Sequence, residues 1–326
     1  MNPPLSRFQK KLCNALQQGL PLCPRPFAEI AGELGTDEAS VLQETRVLLE
    51  AGVIRRVCVV INHRALGMSG TLVAAHVPQE KLEDVAEAVN RLPGVSHNYL
   101  RNHNYNLWFT LQERTLQRMQ QTLRDLEQET GVVFRSLPVT RVFKLDVRFD
   151  AEAEEDVLVQ EAPRVPATEP VALSADQEDL LTQLPGNLEV ESRPYEAFRA
   201  GRRSESDVLR LLGELQDAGV IRRIAAVMNH RKLGYTANVM FAAEVPAESV
   251  SDAGRRLARF RTVSHCYERE TFAGWPYNLF AMMHGRSMGQ IQRTIDKFIE
   301  PGDLRAYELL PTQTELKKQP VRHHLL

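Results

Sequence analysis

The chain has 326 residues, 43 % of them apolar and 25 % charged, with 40 basic against 42 acidic side chains. That exceeds one ordinary core, since single cores stop growing at roughly 250–300 residues, and it is too apolar for general disorder. The near-neutral balance gives no global attraction to nucleic acid, and no apolar run approaches the ~18 residues of a membrane span.

In chain order, an apolar-periodic stretch from Leu5 to Leu16 predicts a helix, followed by helices over Pro26–Leu34 and Thr36–Ala51. Thr36, with Glu38 in the first turn, reads as an N-cap and Gly52 as the stop. Next come β-rich Ile54–Ile61 and Thr71–Val77, a helix over Gln79–Leu92, and β-rich Val95–Tyr99 and Tyr105–Leu111. A helix over Glu113–Thr130 and β-rich Val132–Val147 complete the series. Three short helices closed by Gly-Val-Ile predict a winged helix-turn-helix over 1–53. Two strand–helix–strand units predict a ferredoxin-like α+β sandwich over 54–149. Residues 150–173 hold seven acidic residues, one basic residue and three prolines, and read as a tether.

The chain then begins again. Ser174 and Ser204 read as caps of the first and third helices of a second helix-turn-helix over 174–220, with Gly219 as its stop. A second ferredoxin-like domain follows over 221–326. Residues 52–67 and 219–234 agree at eleven of sixteen positions. Arg25-Pro26-Phe27 recurs as Arg193-Pro194-Tyr195, Val95-Ser96-His97 as Val263-Ser264-His265, and Leu137-Pro138 as Leu310-Pro311. One repeat spans about half the chain, so this is a tandem duplication and not a solenoid.

The helix-turn-helix invites a DNA reading, which the third helix opposes. Residues 36–50 carry Asp37, Glu38, Glu44 and Glu50 against Arg46; residues 204–217 carry Glu205, Asp207, Glu214 and Asp217 against Arg210. A net −3 on each would face one phosphate charge per ~1.7 Å of duplex and forfeit the counterion-release term. Base-reading side chains are sparse apart from Gln43, Arg46 and Arg210.

Two doubled motifs remain. Arg55-Arg56…Asn62-His63-Arg64 recurs as Arg222-Arg223…Asn229-His230-Arg231. One arginine of each pair can face a cleft, and guanidinium is a fitting carboxylate clamp; a charged edge strand explains the pairs equally well, and His63 and His230 equally suit turns before Gly67 and Gly234. More informative are 96–111 and 264–284. His97, Tyr99 and Arg101, like His265, Tyr267 and Arg269, share one face of an extended strand, and a second strand brings Tyr105 with Trp108, or Trp275 with Tyr277. An aromatic surface beside His and Arg suits a large planar ligand with acidic groups, with imidazole as proton donor or metal ligand. His103 has no counterpart, because the second copy carries the Thr271–Pro276 excursion there. No zinc spacing, GxGxxG or phosphate loop occurs, the four cysteines (Cys13, Cys23, Cys58, Cys266) form no disulfide framework, and the start MNPPLSRFQKKL lacks a signal-peptide core, so a reducing cytoplasm is expected.

On these residues each half resembles the Lrp/AsnC family: a helix-turn-helix ending in Gly-Val-Ile, then a βαββαβ ligand-sensing domain. The motifs GVIRR…NHR, HNY-R-HNYNLWFT and ER-F-GWPYNLFAMMH are more similar to those of the siroheme decarboxylases, and the doubled chain resembles the fused NirD–NirL type of heme d1 biosynthesis. That resemblance implies loss of the C12 and C18 acetate carboxyl groups of siroheme as CO2, giving 12,18-didecarboxysiroheme. It implies His97 or His265 as proton donor, with His103 as a second donor or axial iron ligand. It implies Arg56, Arg101, Arg223 and Arg269 on carboxylates, and Tyr99, Tyr105, Trp108, Tyr267, Trp275 and Tyr277 in substrate binding. No cofactor is expected beyond the iron of the siroheme substrate. The expected partners are that tetrapyrrole, no specific DNA, no membrane, and a pseudo-heterodimeric pairing of the halves, with further dimerisation and contacts to other heme-biosynthesis proteins left open. The competing reading is an Lrp-type transcription regulator sensing heme or a small metabolite; a third is a heme-binding chaperone without chemistry.

Overall fold

In the first half of a computed structural model, α1 (Arg7–Gln18), α2 (Pro26–Leu34) and α3 (Glu38–Glu50) precede β1 (Ile54–Ile61). There follow β2 (Ser69–Ala75), α4 (Leu82–Arg91), β3 (Val95–Arg101), β4 (Leu107–Glu113), α5 (Leu116–Thr130) and β5 (Phe134–Leu145). The second half repeats the order as α6 (Ala175–Gln183), α7 (Glu205–Asp217), β6 (Ile221–Met228), β7 (Ala237–Glu244), α8 (Val250–Ala258), β8 (Val263–Arg269), β9 (Leu279–Gly285), α9 (Met288–Ile299) and β10 (Ala306–Lys318). In place of α2, the described residues form a 3-10 turn over Pro194–Arg199. The structure describes residues 4–152, 169–184, 186–199 and 203–318; most of the expected tether, 153–168, lies outside them.

Contacts divide the chain into two units. One holds both helical segments together with β1 and β6. Ser6, Ser174 and Ser204 close capping boxes, whereas α3 is capped by Asp37, which accepts from Ser40 N–H, and not by Thr36. A carboxylate is the better acceptor there, and it also favours the positive end of the helix dipole. Gly52 and Gly219 end α3 and α7 with φ of 66° and 74°, a conformation that costs a Cβ-bearing residue more. The strand after each stop does not join the ferredoxin-like sheet as the 54–149 and 221–326 boundaries assumed. β1 and β6 instead pair with each other antiparallel, Val57 opposite Ala226 and Val59 opposite Ile224. The doubled Asn-His-Arg is the turn that leaves this ribbon: Asn62 N–H donates to Val220 O and Asn229 N–H to Val53 O, and His230, 2 % exposed, stacks on Phe149.

On α3, Arg46 donates through Nε and Nη2 to the carbonyl of Val190 at 3.1 and 2.6 Å, and on α7 Arg210 pairs with Glu214 at 2.6 Å. Two of the three side chains suited to base edges are therefore already engaged. We expect no nanomolar footprint on duplex DNA at physiological salt; such a footprint would restore the regulator reading.

The other unit is a closed barrel in the order β10-β3-β4-β2-β5-β8-β9-β7. β5 and β10, of 12 and 13 residues, are about twice the usual strand length because each serves two sheets. β5 pairs with β2 through Pro138 and then with β8 from Val139; β10 pairs with β7 through Pro311 and then with β3 from Thr312. The recurring Leu-Pro sits at the handover, where a residue lacking an N–H interrupts a ladder at least cost. The halves thus pair edge to edge by exchanging their last strands. One apolar cluster lies under α4 and α5, a second under α8 and α9, and a third, around Trp108, Trp275, Met240 and Leu310, fills the face opposite the helices.

Candidate active site

Strand alternation alone would aim His97 at the helices, since Val95 packs into the first cluster. A register shift between Val95 and His97 reverses the sense, and the same shift recurs between Val263 and His265. His97, Tyr99 and Arg101 then lie on the Trp108 face, with Thr110 opposite His97 and Trp108 opposite Tyr99. His265, Tyr267 and Arg269 repeat the arrangement against Met282 and Phe280.

The two sets match closely. His97 Nδ1 lies 2.8 Å from Ser96 Oγ, and His265 Nδ1 lies 2.9 Å from Ser264 Oγ. Ring centroids are 6.1 Å apart for His97–Tyr99 and 6.0 Å for His265–Tyr267. The guanidinium carbons of Arg101 and Arg269 stand 5.4 and 4.9 Å from the centroids of Tyr99 and Tyr267. The serines were visible in the recurring Val-Ser-His, but a hydroxyl beside a histidine is too common a neighbour to be singled out.

Arg101 and Arg269 depart from the clamp reading. They are 3 % and 9 % exposed, and their Nη1 groups donate to the carbonyls of Leu310 (2.6 Å) and Leu137 (2.7 Å) at the handover points of β10 and β5. Each pins an exchanged strand and holds a tyrosine ring. Burial pulls Arg101 down to about 10, still leaving it charged near neutrality. The asparagines of the two Tyr-Asn-Leu motifs are likewise structural. Asn106 bridges both main-chain groups of Val77, and Asn278 those of Val245.

Trp108 and Trp275, 1 % and 2 % exposed, form an interior floor and not an open wall. Their rings are 5.2 Å apart, and Trp275 also meets His103, Tyr105 and Tyr277 at 5.5, 5.7 and 4.9 Å. The second copy's excursion therefore reaches across to the first copy's aromatic strand. Tyr99, Tyr105, Tyr267 and Tyr277 are half-buried and remain the accessible rings. His103 Nδ1 accepts from Tyr105 N–H at 3.0 Å, which leaves a neutral His103 ring with its proton on Nε2.

The neighbouring strands break the symmetry. Beside β3, β10 sets Glu315 opposite Tyr99 and Lys318 opposite His97, with Lys318 and Glu315 ion-paired at 3.5 Å; beside β8, β5 sets Val142 and Leu145. Lys318 lay in a C-terminal lysine pair with no sequence signal of its own. Tyr277 Oη donates to Glu308 at 3.3 Å, and burial, with Glu308 beside it, raises its pKa. Arg56 and Arg223 lie in the other unit, half-buried on β1 and β6, with Arg55 exposed. Among the described residues no three His, Cys, Asp or Glu side chains group as a metal site, and no helix is long and apolar enough to cross a membrane.

A model of the AsnC-like ligand binding domain matches residues 65–144 and 232–317, and one of the siroheme decarboxylase NirDL-like HTH domain matches residues 9–55. The chain is 36 % identical to a siroheme decarboxylase of Hydrogenobacter thermophilus over 96 % of its own length and 94 % of the relative's. It is 42 % identical to a siroheme decarboxylase alpha subunit of Desulfovibrio desulfuricans over 44 % of this chain and 84 % of that one. A crystal structure of the siroheme decarboxylase NirDL in complex with an iron-uroporphyrin III analogue superposes with a TM-score of 0.71 at 32 % identity, covering 97 % of this chain and 94 % of that one. The two ligand-binding domains and the paired His–Ser–Tyr–Arg sets thus sit in an enzyme family, and the chain belongs to the siroheme decarboxylases.

Proposed function

We propose that this chain is a carboxy-lyase that removes the C12 and C18 acetate carboxyl groups of siroheme as CO2, giving 12,18-didecarboxysiroheme for heme d1 synthesis. The observation that carries the reading is the pair of serine-held imidazoles on one face with half-buried tyrosines and an indole floor. Cleavage of the C–C bond leaves its electron pair on a methylene carbon, which the conjugated macrocycle of the substrate can delocalise. What the protein must add is orientation and one proton per methyl group formed. His97 and His265 supply protons from Nε2, since Nδ1 of each is bound to serine. His103, whose Nδ1 accepts a main-chain N–H, offers its Nε2 proton as a second donor; to ligate the substrate's iron through Nε2 it would have to move that proton to Nδ1 and give up the main-chain hydrogen bond.

For carboxylate contacts the geometry favours Lys318 over the buried Arg101 and Arg269, whose part is to hold the tyrosines in place. We assign no resident cofactor, because the iron arrives within the substrate, and we place the chain in the cytoplasm, consistent with four free cysteines. Anaerobic incubation with siroheme is expected to release two CO2 per macrocycle. A stably bound macrocycle with no CO2 released would favour a carrier.

A further inference from the structure

Behind the serines the two sites differ. Ser96 Oγ lies 2.9 Å from Thr110 Oγ1. Ser264 Oγ lies 3.0 Å from His284 Nε2, at the end of β9, as well as 3.3 Å from Met282 O. His284 occupies the place of Gln112 in the first half: the main-chain N–H of Gln112 donates to Gly94 O at 2.9 Å and that of His284 to Thr262 O at 2.7 Å. His284 is 9 % exposed. The unbroken chain is therefore His284 Nε2, Ser264 Oγ, His265 Nδ1.

A serine hydroxyl carries one proton, so when Ser264 donates to His265 Nδ1 its oxygen is left to accept from His284 Nε2. A neutral His265 that gave up its Nε2 proton with nothing behind it would be left as an imidazolate, a strongly disfavoured anion. We propose that His284 is a positioning residue that supplies, through Ser264, the proton replacing the one His265 delivers to the substrate. The inference rests on the decarboxylase reading.

The step balances as follows. The C–CO2 bond breaks and its electron pair forms a C–H bond with the Nε2 proton of His265. Nδ1 of His265 takes the Ser264 proton, and Ser264 takes the Nε2 proton of a His284 imidazolium. His284 ends neutral with its proton on Nδ1, His265 ends as the Nδ1–H tautomer, and exchange with solvent restores both. Thr110, which stands behind Ser96 where His284 stands behind Ser264, is a hydroxyl and cannot hold the extra positive charge. The duplicated sites have diverged in how they are supplied with protons.

The test is single-turnover decarboxylation by the full chain in H2O–D2O mixtures. The step slowed by His265→Ala is expected to show a curved proton inventory, with more than one proton in flight. His284→Gln, which installs the first half's residue, and Ser264→Ala should each lower the single-turnover rate constant for that step at least tenfold, leave its half-saturating concentration unchanged and make the inventory linear. Ser96→Ala should leave the curvature intact. A linear inventory in the wild-type chain, or curvature surviving in both variants, overturns the relay while leaving the decarboxylase reading standing. Absence of any turnover by the wild-type chain would overturn that reading and the relay with it.

Discussion

Replacing His265 with alanine is expected to slow one of the two decarboxylations by about 10²–10⁴-fold, or about 3–5 kcal/mol of barrier, with the fold intact. General acid catalysis is worth that much when the donor is held in position, and Ser264 holds this one at 2.9 Å. His97→Ala is expected to act on the other step, because its site is complete in itself: Ser96 behind, Tyr99 beside, Lys318 across. His103→Ala should cost less, since its ring is edge-on to Trp275 and one nitrogen is already spent on the main chain. The readout is the ratio of mono- to didecarboxylated product in single turnover. Lys318→Met should instead raise the apparent substrate constant. If all three histidine variants kept wild-type rates for both steps, these rings would be structural and the proton would come from elsewhere.

Gly254→Ala should damage the second half's core. A Cβ there would lie 2.3–2.4 Å from three ring atoms of Phe143, a side chain that enters from the first half's β5 and is 6 % exposed. The ring is held within the second apolar cluster and cannot swing aside, so the cost is overpacking, about 1–3 kcal/mol, read as a lower urea midpoint. The first half shows the remedy. At the corresponding positions it carries Ala86 on α4 and Leu316 on β10, a larger helix residue and a smaller strand residue. Gly254→Ala with Phe143→Leu rebuilds that pair and should be markedly more stable than the sum of the single changes implies. Simple additivity would show that the two positions do not share space.

The duplication makes much of this fold legible in the sequence. A residue type recurring at one offset marks a position, and the strand–helix–strand rhythm sets the ferredoxin-like units within a residue or two at most ends. What recurrence does not reveal is which partner a strand takes. The residues of Ile54–Ile61 suit a sheet without saying that the sheet is its own copy Ile221–Met228. The exchange of β5 and β10 is equally invisible, although the doubled Leu-Pro marks where it happens.

The site divides along the same line. His97, Tyr99 and Arg101 share a face as period-2 alternation requires, but the register shift that aims that face leaves no sequence trace. Arg101 and Arg269 were readable as recurring cations and not as strand pins, because that role depends on a carbonyl some 130 to 210 residues away. His284 stood at the end of a recognised motif, yet its link to His265 through Ser264 exists only once β8 and β9 are paired.

The central claim is chemical, and mass spectrometry of the macrocycle tests it most directly. After anaerobic incubation with siroheme, the extracted tetrapyrrole should show the loss of one CO2 and then of a second, with the mono-decarboxylated species rising before the final product. Siroheme recovered with all eight carboxylates, whether bound or free, would contradict the account.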